Sequence, residues 1–187
     1  MNKAQLKRLA LELREEVGLS PFEVFDPYRL AELYGVDVYQ LCDLECSPEA
    51  MTHFRVTRSE VFSGALVPVG TGAVIIENDA HDPFRRRSTA AHEMAHVTLG
   101  HPFTATMVNE RGCRTAEPAH EAEAAELGGE LLLSFEAAKG LAWFRLSDEE
   151  AALKYGVSVE IARWRLNATG ARKIASRARA KRQRRGA

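Results

Sequence analysis

Apolar residues along positions 3–17 fall at helical intervals. Leu6, Leu9, Ala10, Leu13 and Val17 share one face, and Gly18 ends the run. Residues 21–25 connect this helix to a shorter one opened by Asp26-Pro27, with Leu30, Ala31 and Tyr34 inward and Gly35 as its cap. The pattern then shifts towards strands. Val36, Val38 and Leu41 predict the first, residues 43–50 read as a loop, and residues 52–57, 62–69 and 73–77 give three more candidates. The last two flank Gly70-Thr71-Gly72, a hairpin signal, and Val74, Ile75 and Ile76 read as a fully buried strand.

Helical periodicity returns at residues 82–101, where Asp82 is a natural N-cap, Pro83 suits the first helical position and no breaker intervenes before Gly100. Residues 103–116 read as an irregular surface loop carrying Met107, Arg111 and Arg114. A second strong helix is predicted over 117–135, with Pro118 in its first turn and an apolar later half. Ser147-Asp148-Glu149-Glu150 is a capping box that opens a helix to Tyr155. The chain turns at Gly156 and restarts after Ser158, packing Ile161, Ala162 and Leu166 before Gly170. Helix, tight turn, helix is compatible with a helix-turn-helix.

Composition adds three constraints. With 187 residues, 45% apolar and 27% charged, the chain can bury a real core. The start carries Lys3, Lys7 and Arg8 without an apolar run, so it does not read as a signal peptide, and no stretch is long enough to span a bilayer. Cys42, Cys46 and Cys113 make no disulfide framework; Cys42 and Cys46 could join in metal binding, but their spacing is not the usual C-x-x-C. A reduced cytoplasmic protein is expected. Charge is uneven: residues 172–185 hold eight Lys or Arg and no acid, leaving 17 basic against 26 acidic residues elsewhere. That tail reads as disordered, with weak non-specific affinity for nucleic acid.

The chemistry lies in His92-Glu93-Met94-Ala95-His96. Residues four apart share a helical face, so both imidazoles can reach one metal ion, and Glu93 can act as general base on a water held there. This is the H-E-x-x-H pattern of zinc peptidases. A surface helix with two solvated histidines is the bland alternative. Ala90, Ala91, Met94, Ala95, Val97 and Leu99 argue against it, because they make the helix largely apolar. A catalytic zinc commonly has three protein ligands. The metzincin arrangement fails here: Pro102 stands where its third histidine would be and Leu99 where its glycine would be, and His101 reads as a helix-end residue. The second helix offers Glu117, His120, Glu121, Glu123 and Glu126, and spacing alone does not choose among them.

Most of the chain resembles the ImmA/IrrE metallo-endopeptidases. Leu30-Ala31-Glu32-Leu33-Tyr34-Gly35 matches an LAxxxG-type turn, Ser63-Gly64 an SG pair, and Ile76-Glu77-Asn78 with residues 85–96 the segment ending in H-E-x-x-H. Residues 123–134 are similar to a helix of the type E-A-N-x-F-A-x-x-L-L-M-P, with Ala125 for Asn or Asp, Leu127 for Phe and Ser134 for Pro. Residues 157–170 resemble a VSxxAxxxRLxxLG segment, departing at Ile161 and Thr169. The resemblance implies an α+β, zincin-like peptidase domain over 1–139, with a small mixed or antiparallel sheet. A helix-turn-helix-like segment over 140–171 and the tail over 172–187 follow.

The resemblance also implies a Zn²⁺ site of His92, His96 and Glu123, with Glu121 the alternative, and Glu93 as base. His120, Tyr155 and Arg114 are candidates for a further oxyanion donor. The implied substrate is a helix-turn-helix repressor, cleaved to induce phage, mobile-element or stress genes. The competing expectation is a non-proteolytic DNA-binding regulator or repressor antagonist on the same frame, with Arg163, Arg165, Asn167 and the tail on DNA. Packing of that helical pair is favoured over DNA binding, because Glu149, Glu150 and Glu160 add negative charge beside any DNA.

Overall fold

The computed structural model describes residues 1–102 and 117–185. Its helices, in chain order, are α1 (Lys3–Glu16), α2 (Pro27–Leu33), α3 (Pro48–Thr52), α4 (Pro83–Thr98), α5 (Pro118–Leu132), α6 (Phe135–Trp143), α7 (Asp148–Tyr155), α8 (Val159–Ala168) and α9 (Ala171–Arg185). The strands are β1 (Val38–Gln40), β2 (Gly64–Val69) and β3 (Gly72–Glu77). The fold is mixed α+β, as expected. It divides into two compact units, one of Met1 with Asp26–Gly128 and one of Asn2–Phe25 with Gly129–Ala187.

In the first unit β3 is central, antiparallel to β2 and parallel to β1. The sheet is therefore the mixed one of the two anticipated forms. Ile75, paired with Val38 and Leu66, is fully buried, in keeping with its apolar run. Residues 52–57 are not a strand. Ser47 accepts from the Ala50 N–H and Pro48 fills the first turn, so α3 starts inside the expected loop and continues as a π-helical turn over His53–Thr57. β-Branched and aromatic residues suggested a strand there, but a capped helix start just upstream overrode them. Buried Asn78 holds this segment, its amide donating to Phe54 O at 2.7 Å and Phe62 O at 2.9 Å.

Helix α4 begins as its sequence prescribes, with Asp82 accepting from the Phe84 and Arg85 N–H groups. Two polar contacts then fix it. Arg85 donates to Ser63 Oγ at 2.8 Å, and Arg86 pairs with Glu77, whose other oxygen takes the Tyr28 hydroxyl at 2.9 Å. Burial first, and Glu77 second, push the Tyr28 phenol well above its ordinary value. Tyr34, expected inward on α2, is 41% exposed, because the helix ends at Leu33 and Tyr34 is its C-cap. Close packing places α5 on α4: a Cβ added at Gly128 would stand 3.1 Å from Ala91 O and 3.3 Å from His92 Cα.

The second unit is helical. Arg14 is 1% exposed and donates to Ser20 O, Glu23 O and Leu131 O, while fully buried Arg165 pairs with Glu130 and donates to Leu133 O at 3.0 Å. Ser147 and Glu150 form the expected capping box on α7, and Gly156 closes that helix with φ 61°. Where the sequence suggests a disordered tail, α9 is a helix with Ala171 and Ala175 buried, and Arg179 donates to Ala142 O at 2.9 Å. Small residues against α6 and side-chain capping of its carbonyls outweigh the repulsion among the basic residues.

Two substitutions test this packing. Arg145 has φ 59° just after the α6 C-cap, a conformation easier for glycine. Arg145→Gly is expected to raise stability by about 0.5–1 kcal/mol, read from urea unfolding. Gly128→Val should lower it by about 1–3 kcal/mol, because the nearest atoms its side chain would meet are backbone of Ala91 and His92. Parent-like unfolding of Gly128→Val would show that the helices do not need the close approach.

Candidate metal centre

Helix α4 presents His92 and His96 one turn apart, and α5 presents Glu121 to them. His92 Nε2 lies 3.1 Å from His96 Nε2 and 3.1 Å from Glu121 Oε2, and His96 Nε2 lies 3.3 Å from Glu121 Oε1. Glu121 and Gly128 are two turns apart on α5 and so share a face, which is how the tight contact at Gly128 brings the carboxylate to the imidazoles. Among the described residues, His92, His96 and Glu121 are the one His/Cys/Asp/Glu group whose ligand atoms converge, all within 4.8 Å of one another.

The spacing fits a metal ion. Ligand nitrogens and oxygens bonded at about 2.0–2.2 Å in a tetrahedral array stand about 3.3–3.6 Å apart. The observed 3.1–3.3 Å runs from just below that range to its near edge. The donor set, two imidazoles and a carboxylate, is also that of catalytic zinc sites. Glu93, next to His92 on the same helix, is 5% exposed.

Glu123 is not in this group. Two residues turn a helix by about 200°, so Glu121 and Glu123 cannot both face α4. The Glu123 carboxylate instead accepts from the Met1 amine and lies 3.5 Å from His101 Nε2. The resemblance places the third ligand on Glu123 by motif register, whereas the carboxylate that converges with the two imidazoles here is that of Glu121.

His101, read from sequence as a helix-end residue, does more than that. Gly100 takes φ 63°, which lets the His101 N–H reach His96 O at 3.1 Å and folds the ring back beneath α4. His101 Nδ1 then lies 2.8 Å from His96 Nδ1, and its ring stacks on His120 at 4.3 Å. Burial, and next the charge on His120, lower the His101 pKa from the ordinary imidazole value. The signal in the sequence was a histidine five residues after a ligand histidine, just past a glycine cap. Gly128 carries a comparable signal in the sequence, because two glycines in mid-helix call for a packing reason.

The remaining candidates are not among the converging ligand atoms. The Tyr155 hydroxyl donates to Phe22 O at 3.0 Å inside the second unit, and His120 Nδ1 lies 3.4 Å from Glu117. Cys42 and Cys46 are exposed free thiols. Met107, Arg111, Cys113 and Arg114 fall outside the described residues.

A comparison with curated proteins gave no match. A family profile described as the IrrE N-terminal-like domain matches residues 44–167, about two thirds of the chain. The matched span runs from before α3 to near the end of α8, and so includes every residue of the His92, His96 and Glu121 cluster together with Glu93. On that extent of match, the chain belongs to the ImmA/IrrE-type peptidase family of IrrE N-terminal-like domains.

Proposed function

We propose that this protein is a zinc-dependent endopeptidase with His92, His96 and Glu121 as ligands and Glu93 as general acid–base. The observation that carries the reading is the convergence of His92 Nε2 and His96 Nε2, 3.1 Å apart, on the two carboxylate oxygens of Glu121 at 3.1 and 3.3 Å, with groups drawn from two helices. Zinc, when bound, supplies Lewis acidity that activates a water and polarises the scissile carbonyl. Glu93 takes the proton of the attacking water and passes it to the leaving amine, a role that its burial in an apolar helix suits.

The substrate reading starts from the sheet. Among the described residues β2 pairs with β3 alone, which leaves its other edge unpaired there, and Pro68 within it is typical of an edge strand. A Cβ at Gly64 would collide with Thr89 on α4, one turn before Glu93, so β2 starts beside the helix that carries the base. An extended peptide added to that edge is the simplest way to present a scissile bond. A helix-turn-helix repressor as natural substrate follows from the resemblance to ImmA/IrrE peptidases. Exposed free Cys42 and Cys46 suit a reducing cytoplasm, and among the described residues no helix is long and apolar enough to cross a membrane.

The DNA-binding alternative has less behind it. Arg165 is fully buried on Glu130, and Arg163 is held by Asp148 at 2.9 Å, so neither is free to read bases from α8. Lys173, Arg177, Lys181 and Arg184 on α9 remain exposed, which fits at most a weak contact with phosphates.

Two experiments decide between these readings. Glu93→Gln should keep its zinc and lose peptidase activity by about 10²–10⁴-fold, measured as new protein termini by mass spectrometry in cells expressing either form. Full activity in that variant would end the enzyme reading, and digestion of unrelated unfolded proteins would end the repressor one. For the ligands, Glu121→Ala should lose bound zinc on gel filtration, whereas Glu123→Ala should keep about one ion per chain. The reverse pattern would return the third ligand to Glu123.

A further inference from the structure

We infer that His101 and Glu123 form an outer-shell relay that orients His96, with His101 as a positioning residue and Glu123 fixing its tautomer. The inference rests on the reading of His92, His96 and Glu121 as metal ligands. His96 faces the other two ligand atoms through Nε2, which leaves Nδ1 as its second hydrogen-bonding atom. That Nδ1 meets His101 Nδ1 at 2.8 Å.

Two imidazole nitrogens at this distance cannot both carry a proton or both lack one. If Nε2 of His96 keeps its lone pair for a metal, Nδ1 must carry the hydrogen and His101 Nδ1 must accept it. His101 then holds its own proton on Nε2, which lies 3.5 Å from the carboxylate of Glu123, an acceptor. Only one order of donors is consistent with all three groups: His96 donates to His101, and His101 points its N–H at Glu123.

The surroundings hold this order in place. Gly100 in the left-handed region returns the chain so that the His101 N–H also bonds His96 O at 3.1 Å. The ring is 8% exposed and stacked on His120. An imidazole fixed at both its backbone and its ring restricts rotation of the His96 side chain, and a carboxylate behind it raises the basicity of the ligating nitrogen. At Ala125, where the resembling helix carries Asn or Asp, this chain has no side-chain group to offer such support. Outer-shell partners of this kind are worth about 10–100-fold in metal affinity.

The test is the zinc dissociation constant of the full chain, measured by competition with a chromophoric chelator. His101→Phe keeps the ring and its stacking but removes the acceptor, and should bind zinc about 10–100-fold more weakly. His101→Asn places an amide oxygen near the lost Nδ1 and should recover most of that loss. Glu123→Ala, one bond further from the ligand, should bind zinc more weakly than the parent, with a loss of at most about 10-fold, the low end for outer-shell partners, while still taking up one ion per chain. Nitrogen-15 NMR of the zinc-loaded parent should find His101 protonated on Nε2. Parent-like affinity in folded His101→Phe and in Glu123→Ala, or a His101 protonated on Nδ1, would overturn the relay. Absence of zinc binding by the parent itself would instead overturn the metal-centre reading on which the relay rests.

Discussion

Two imidazoles and a carboxylate meet within about one hydrogen-bond length of each other, and that convergence constrains the packing of the first unit. Their side chains are short compared with the usual 8–10 Å between helix axes. The helices must therefore come close and stay in phase. Ala90, Ala91 and Ala95 on α4 and Ala124 and Gly128 on α5 are small and buried, and at Gly128 the gap closes to backbone contact. Larger residues would add buried apolar area but move the ligand atoms apart. The polar contacts of Arg85 with Ser63 and of Arg86 with Glu77 anchor the other end of α4 to the strands. They set the direction from which His92 and His96 project.

The second unit meets a different requirement: burying a helix end. The last carbonyls of a helix have no partner within it. Here Arg14 takes Leu131 O and Arg165 takes Leu133 O, so two guanidinium groups satisfy the end of α5 and the turn into α6. Both cations are themselves costly to bury. Arg165 offsets this by pairing with Glu130, whose other oxygen accepts the Phe135 N–H at 2.6 Å. Among the described residues Arg14 is held by backbone carbonyls and the face of Phe25, and burial lowers its pKa. Arg165, a basic residue that the sequence offers to DNA, is here part of the interior.

Features that depend on neighbouring residues in the chain were legible in advance. The caps of α2, α4 and α7, the hairpin at residues 70–72 and the pair His92 and His96 all depend on spacing over a few positions. The choice between Glu121 and Glu123 depends on the rotation of α5 about its axis, and that rotation is fixed by contact with α4 across a long sequence separation. Residues 52–57 show the same limit, since their strand-like composition lost to the helix started by Ser47-Pro48. The basic residues of α9 suggested a solvated chain because the buried stripe of Ala171 and Ala175 is made of small residues that carry little periodic signal. His101 was visible as a residue, but its role needed the turn at Gly100.

The two-turn interval between Glu121 and Gly128 has a consequence for how this protein can change over evolutionary time. Substitutions on the outer side of α5 are cheap, whereas a single inserted or deleted residue between these positions would rotate the carboxylate by about 100° relative to the contact point. No repacking of side chains restores a phase lost in that way. Length variation in the lineage should therefore be absent from residues 121–128 and permitted before Pro118, where a gap changes the path of the chain but not the face that α5 turns to the histidines.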